Sequence, residues 1–200
     1  MSPDSVSPIR LVVLISGNGS NLQAIIDNIA DNDLPAQIVA VISNRADAYG
    51  LERAKQAGIE QRVLSPKKFT DRDEYDRALK ALIDSYQPDL VILAGFMRIL
   101  SHEFVQHYLN KMMNIHPSLL PKYKGLNTHQ RAIDAGEKEH GCSVHFVTPE
   151  LDDGPVILQA KVEVKSNDTA ETLAERVHEQ EHRIYPEAIR LFAEKNINTT

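Results

Sequence analysis

The stretch KMMNIHPSLLPKYKG, Lys111 to Gly125, sets Asn114 and His116 two residues apart at the end of an apolar run and just ahead of Pro117. If Met112 to His116 is extended, side chains two apart leave the same face of the strand. Pro117 disfavours helix at His116 and ends the strand there. An amide N–H donor beside an imidazole suits acyl transfer, in which one group steadies an oxyanion and the other moves a proton. A purely structural reading stays open: Asn114 as a turn cap, His116 as a satisfied histidine at a strand end. A carboxylate to orient the imidazole is available in ELDDGPVI, as Asp152 or Asp153, in a turn marked by Gly154 and Pro155. Beside His116 such an aspartate would favour the imidazolium, although adjacent acids in a loop also occur as plain solvated turn residues.

A second candidate is SGNGSN, Ser16 to Asn21, at the exit of the first apolar run. Glycines let the backbone approach an anion, and the next helix aims its unpaired N–H groups and positive dipole end at the same place. The alternative is a tight turn with Asn18 or Ser20 as a helix cap. The dinucleotide fingerprint fails at Leu22, where a third glycine is needed, and at SNR, where an acid is needed. No Gly-Lys-Ser/Thr follows, so a P-loop is excluded. One phosphate of a mononucleotide or phosphosugar remains. Further on, HEQEH, His178 to His182, matches the zinc-peptidase pattern, with Glu179 as base, but Pro186 disturbs the helix that would lead to a third ligand. His145 in SVHFV reads as a strand histidine near the site, with a supporting contact left open. His102 and His107 fall on a surface helix, His129 and His140 on loops or helix ends, and Tyr75 and Tyr86 read as packing residues.

These groups need elements to position them. IRLVVLIS (Ile9 to Ser16) is almost continuously apolar, as a parallel strand covered on both faces should be. Leu22, Ile25, Ile26 and Ile29 form one helical stripe after it. Ala36 to Ser43 reads as a second strand, AYGLERAKQAG as a helix closed by Gly58, and QRVLS as a short third strand. Tyr75, Leu79, Leu82, Ile83 and Tyr86 mark one face of a helix that Pro88 ends, and DLVILAG follows as a central strand. Next come a helix opened by Ser101, the strand KMMNIHP, and a helix near Thr128 to Ala135. SVHFVT (Ser143 to Thr148) and VILQAKVEV (Val156 to Val164) are strand-like, the second alternating enough to lie antiparallel. A last helix starts near Asp168 and is expected to be interrupted near Pro186. The fold class implied is α/β: a three-layer, Rossmann-like open sheet, mostly parallel and twisted, with helices on both faces and an antiparallel strand near the C-terminal part. In such sheets ligands bind beyond the carboxyl ends of the strands.

Composition sets the outer bounds. At 200 residues with 42% apolar content, the chain can bury about 70% of the surface its unfolded form exposes. Acids outnumber bases 28 to 22, and the bases are scattered, which argues against nucleic acid as a partner. Cys142 stands alone and no apolar run reaches membrane-span length, so the expectation is a soluble, cytoplasmic protein with no membrane partner. Residues 1–8 read as a flexible tail.

Five stretches, VVLISGNGSNLQAII, AGFMRIL, NIHPSLLPKYKGL, HGCSVHFVTPELDDGPVILQ and QEHRIYP, together resemble the phosphoribosylglycinamide formyltransferase family, the folate-dependent transformylases of purine synthesis. The resemblance runs from about Ile9 to Phe192. It implies formyl transfer from 10-formyltetrahydrofolate to the amine of glycinamide ribonucleotide through a tetrahedral intermediate, without metal. It implies that His116 moves the proton, that Asn114 binds the formyl oxygen, and that Asp152 tunes His116 and helps to place a relay water. Gly19, Ser20 and Asn21 would hold the substrate phosphate, and His178, Glu179, Gln180 and Glu181 would meet its ribose and glycinamide end, Glu181 chiefly. Folate contacts are implied for Arg72, Met97, Arg98, Ile99, Leu100 and Asn114, with Val147, Thr148, Pro149, Glu150, Leu151 and Asp152 as a covering loop. Residues 9–200 would form one formyltransferase domain, 9–108 its phosphate-binding half and 109–200 its folate-binding and catalytic half, in a monomer or homodimer. Lys124 and Asn127 depart from the proline and histidine that family members often carry there, which puts the loop after the catalytic strand in doubt. A 10-formyltetrahydrofolate hydrolase would be expected to carry a further domain before this one, and a methionyl-tRNA formyltransferase a basic domain after it. A binding protein that uses the phosphate turn without chemistry is the competitor outside enzymes.

Overall fold

The structure, a computed structural model, describes residues 7–31 and 34–195; most of the tail expected over 1–8 lies outside the described residues. Seven strands form one sheet: β1 (Ile9–Ile15), β2 (Ala36–Ser43), β3 (Gln61–Val63), β4 (Leu90–Leu93), β5 (Met112–His116), β6 (Glu139–Phe146) and β7 (Val156–Glu163). Among the described residues there are six α-helices: α1 (Ser20–Ala30), α2 (Tyr49–Gln56), α3 (Arg72–Ser85), α4 (His102–His107), α5 (Thr128–Asp134) and α6 (Ala170–Ala193). The strand order is β3-β2-β1-β4-β5-β6-β7. The first five strands in that order are parallel, while β6 runs antiparallel to both β5 and β7. The mostly parallel α/β sheet expected from sequence is thus present, with one reversed strand, β6, which makes antiparallel pairs with β5 and β7.

Strand alternation decides which helix goes where. Leu11, Val13 and Ile15 face one core with Leu22 and Ile25 of α1, Leu51 and Ala54 of α2, and Val177, Ile184 and Ile189 of α6. Val12 and Leu14 face the opposite core with Tyr75, Leu79 and Ile83 of α3 and Phe104 and Val105 of α4. Both faces of β1 are therefore dry, which is why its sequence is apolar without interruption. The sequence order turns back between β1 and β4, so the crevice at their carboxyl ends is the topological switch point.

Two local expectations are corrected. Pro186 does not interrupt the last helix, which runs unbroken through it. Proline removes one backbone bond, but Ile184, Tyr185, Ala188, Ile189 and Ala193 around it are all buried, and their packing holds the helix in place. His140 is no loop residue: β6 begins at Glu139, four residues before the expected Ser143, and buries it.

Tyr185 also crosses into the sheet. Its hydroxyl lies 2.8 Å from the Leu93 carbonyl and 3.0 Å from that of Met113, tying α6 to β4 and β5 just before Asn114. Burial pushes its pKa well above the ordinary value, so it stays a neutral donor. Tyr185→Phe is expected to lower unfolding free energy by about 1–3 kcal/mol, because the one hydroxyl proton shared between two carbonyls is lost; urea denaturation measures this.

Candidate active site

The β1–β4–β5 register brings Leu14, Leu93 and Asn114 level with one another. Two strand spacings, about 10 Å, separate the end of β1 from that of β5. The glycine turn after β1 and the Asn114–His116 pair at the end of β5 therefore open onto the same edge of the sheet.

On β5, Asn114 is the one half-buried residue, as a group reaching toward a ligand should be. Its amide Nδ2 lies 3.4 Å from His145 Nε2 on β6, its direct cross-strand partner. His145 Nδ1 is 3.0 Å from the Phe146 carbonyl, which can only accept. The Nδ1 proton therefore goes to that carbonyl and Nε2 is left to accept from Asn114. Burial, the larger effect, lowers the His145 pKa against the upward pull of the Phe146 carbonyl and Asp152, keeping the ring neutral in this role.

His116 is 6% exposed. Its Nε2 donates to the Tyr123 carbonyl at 2.8 Å, and its Nδ1 faces Asp152 Oδ2 at 3.5 Å. The same Asp152 oxygen accepts from Gly125 N–H at 2.9 Å. Asp152 has a left-handed backbone, φ 50°, which aspartate tolerates better than most residues. Gly154 fixes the turn beyond it, since a Cβ there would stand 1.7 Å from the Phe146 carbonyl oxygen. Of the two aspartates suggested by sequence, Asp152 reaches His116 and Asp153 pairs with Lys124 instead.

The loop departures now have a physical account. Lys124 ties the loop after β5 to the Asp152 turn through Asp153, and Asn127 takes the left-handed conformation, φ 56°, that asparagine accommodates at the start of α5. Arg131 holds the carbonyls of Lys124 and Leu126 at 2.7 and 3.1 Å.

At the other end, Gly19 is left-handed, φ 77°, and caps α1 without a side-chain bond, so neither Asn18 nor Ser20 acts as the cap. The N–H groups of Ser20, Asn21 and Leu22 then precede the helix's own bonding. A Cβ on Gly19 would sit 2.7 Å from Gly50 Cα, so α2 seats the turn closely. Arg53 donates to the Asn18 carbonyl and side chain at 2.8 and 2.7 Å. Asn21 Nδ2 lies 3.5 Å from Glu181 Oε2, while Asn21 Oδ1 is buried with no protein partner. Burial raises the Glu181 pKa against the opposing effects of His178, at 3.9 Å, and Asn21.

The remaining sequence candidates are dispersed. Glu179 is exposed, and Gln180 accepts from Arg183 at 3.0 Å. Met97, Ile99 and Leu151 are exposed apolar side chains, whereas Leu100 and Val147 pack back on the core. Thr148 caps its own turn by bonding the Glu150 carbonyl at 3.5 Å; Pro149 is half-buried and Glu150 exposed. Arg98 stacks on the Tyr75 ring at 4.2 Å, joining the 97–100 segment to α3. Arg72 lines a cleft of about 260 Å³ between α3 and α4 whose walls exclude Asn114, His116 and Asp152. His182 Nε2 is buried without a partner, and no group of three or more His, Cys, Asp or Glu among the described residues could hold a metal ion. No helix among them is long and apolar enough to cross a membrane.

Sequence reasoning left His145 undecided and missed the Tyr123 and Gly125 backbone contacts; all three depend on strand register and loop closure. The buried histidines also have a consequence for pH. His129 Nδ1 and His140 Nε2 lie 3.1 Å apart, so the pair shares one proton and cannot take two without N–H groups opposing. Burial, then His129, pushes His140 down to about 4 against Glu137, with His116 adding to the fall; His129 and His145 are lowered by burial as well. Each binds protons more readily unfolded, so stability present above about pH 6.5 should be lost progressively as pH falls toward His140's folded value. Glu181, raised, works in the opposite sense. Urea melts from about pH 7 down to about pH 4.5 are expected to show a falling midpoint, and His140→Gln to flatten part of that fall.

Comparison with known proteins agrees with this architecture. The formyl transferase family model matches residues 9–189, and the chain belongs to that family: it is a formyl-transferring enzyme. More narrowly, it is 59% identical over 185 residues to phosphoribosylglycinamide formyltransferase of Escherichia coli K12, covering 92% of this chain and 87% of that protein. It is 50% identical to part of the human trifunctional purine biosynthetic protein adenosine-3, covering 92% of this chain and 18% of that one. The solved phosphoribosylglycinamide formyltransferase of Coxiella burnetii superposes with a TM-score of 0.92 at 55% identity, over 96% of this chain and 90% of that one.

Proposed function

We propose that the chain transfers the formyl group of 10-formyltetrahydrofolate to the amine of glycinamide ribonucleotide, giving formylglycinamide ribonucleotide and tetrahydrofolate. The observation that carries this reading is the meeting of Asn114, His116 and Asp152 at the end of β5, on the same sheet edge as the Gly19 turn. The names of relatives up to 59% identical support the substrate pair.

The residues suit both ligands. Met97, Ile99 and Leu151 offer exposed apolar surface for a flat heterocycle, and the unpartnered Asn21 Oδ1 beside Glu181 offers acceptors for sugar hydroxyls. The free N–H groups after Gly19 take the phosphate.

The folate supplies an activated formyl carbon for attack by the substrate amine. Asn114 gives one N–H to His145 and turns the other to the formyl oxygen, where negative charge grows. His116 carries the proton that leaves with the folate nitrogen, directly or through water. Asp152, held by Gly125 N–H, faces the ring and steadies its charged form. Residues 9–200 act as one domain in this scheme, as monomer or homodimer.

Following deformylated folate with and without glycinamide ribonucleotide tests the assignment. Product is expected only when the ribonucleotide is present. Equal folate product in its absence, or formylation of an aminoacyl-tRNA in its place, would overturn it.

A further inference from the structure

The sequence motif SGNGSN contributes more than its glycines. Ser16, its first residue, directly follows β1 at the topological switch point and is 5% exposed. Its Oγ lies 2.6 Å from Asn44 Oδ1 at the end of β2, an oxygen that accepts, so the hydroxyl proton goes there. The lone pairs of Oγ are left to accept, and Met97 N–H donates to them at 2.8 Å. The Ser16 main chain adds a bond to the Gly95 carbonyl at 3.1 Å, beyond the last paired residues of β1 and β4. Ser16 is therefore the root of the phosphate turn and an anchor for the segment from Met97 to Leu100. That segment needs one: Gly95 has a left-handed φ of 76°, and Met97 and Ile99 are 71% and 76% exposed.

We infer that Ser16 is a positioning residue, fixing the backbone of the folate-side segment relative to the phosphate turn so that donor and acceptor are held in one register. This rests on the reading above that residues 97–100 flank the folate. Removing the hydroxyl strands Met97 N–H and Asn44 Oδ1 but leaves the N–H groups after Gly19 where they are. The effect should thus fall on one substrate.

Ser16→Ala is expected to raise KM for 10-formyltetrahydrofolate about 3- to 10-fold, the value of one neutral hydrogen bond, with kcat and KM for glycinamide ribonucleotide moving less than about 2-fold. Ser16→Thr, which keeps the hydroxyl, should restore the donor KM. Asn44→Ala, at a half-buried position, should raise it in the same direction and carries the test if either Ser16 variant fails to fold. Amide hydrogen exchange over residues 95–100, measured without substrates, should quicken in Ser16→Ala and Asn44→Ala. An unchanged donor KM with unchanged exchange, or equal rises in KM for both substrates, would overturn the inference. If the unmodified enzyme does not use glycinamide ribonucleotide, the proposed function fails, and the exchange measurement still decides whether Ser16 anchors the segment.

Discussion

His116→Ala is expected to lower kcat by about 100- to 10,000-fold, the range for losing a positioned proton-transfer group. The argument is geometric. The ring is buried, one nitrogen gives its proton to the Tyr123 carbonyl, and the other faces the Asp152 carboxylate. The second nitrogen is the one through which a proton can be taken up and passed on, with the Asp152 carboxylate beside it. Alanine removes the proton carrier and leaves Tyr123 and Asp152 without it, so some loss of stability accompanies the loss of rate. His116→Gln separates the two effects, because an amide can still donate to Tyr123 but carries no transferable proton. Single-turnover formyl transfer together with a thermal melt is the measurement. Near-normal turnover by folded His116→Ala would remove the proton-transfer role.

Asn114→Ala should cost about 100- to 1,000-fold, in kcat rather than in KM, because the N–H concerned works hardest once charge has grown on the formyl oxygen. The neighbouring His145 makes this specific. With its Nδ1 proton committed to Phe146, His145 holds the Asn114 amide with nitrogen toward the ring, and the second N–H is left for the ligand. Asn114→Asp keeps the size but can only accept, and should be as slow as the alanine variant. A variant at this position that raised KM alone would point to ground-state binding and against oxyanion stabilisation.

Much of the scaffold was readable without coordinates because its signals are local. The unbroken apolar run of β1, the helical stripe of α1 and the Tyr75, Leu79, Ile83 face of α3 each record burial through side-chain period. Lys124 is a different case: nothing near it in sequence announces its tie to Asp153, 29 positions on. Pro186 misled for the opposite reason, since a local breaker signal was outweighed by the packing of its neighbours.

By itself, then, the amino-acid order determined the βα alternation, the glycine turn and the placing of Asn114 and His116 on one strand face, because period and turn chemistry act within a few residues. Which aspartate serves His116, that His145 orients Asn114, and that Ser16 anchors Met97 were decided only in three dimensions. Those contacts depend on strand register and loop closure, which are fixed by the packing of the whole sheet and leave no mark in the residues that make them.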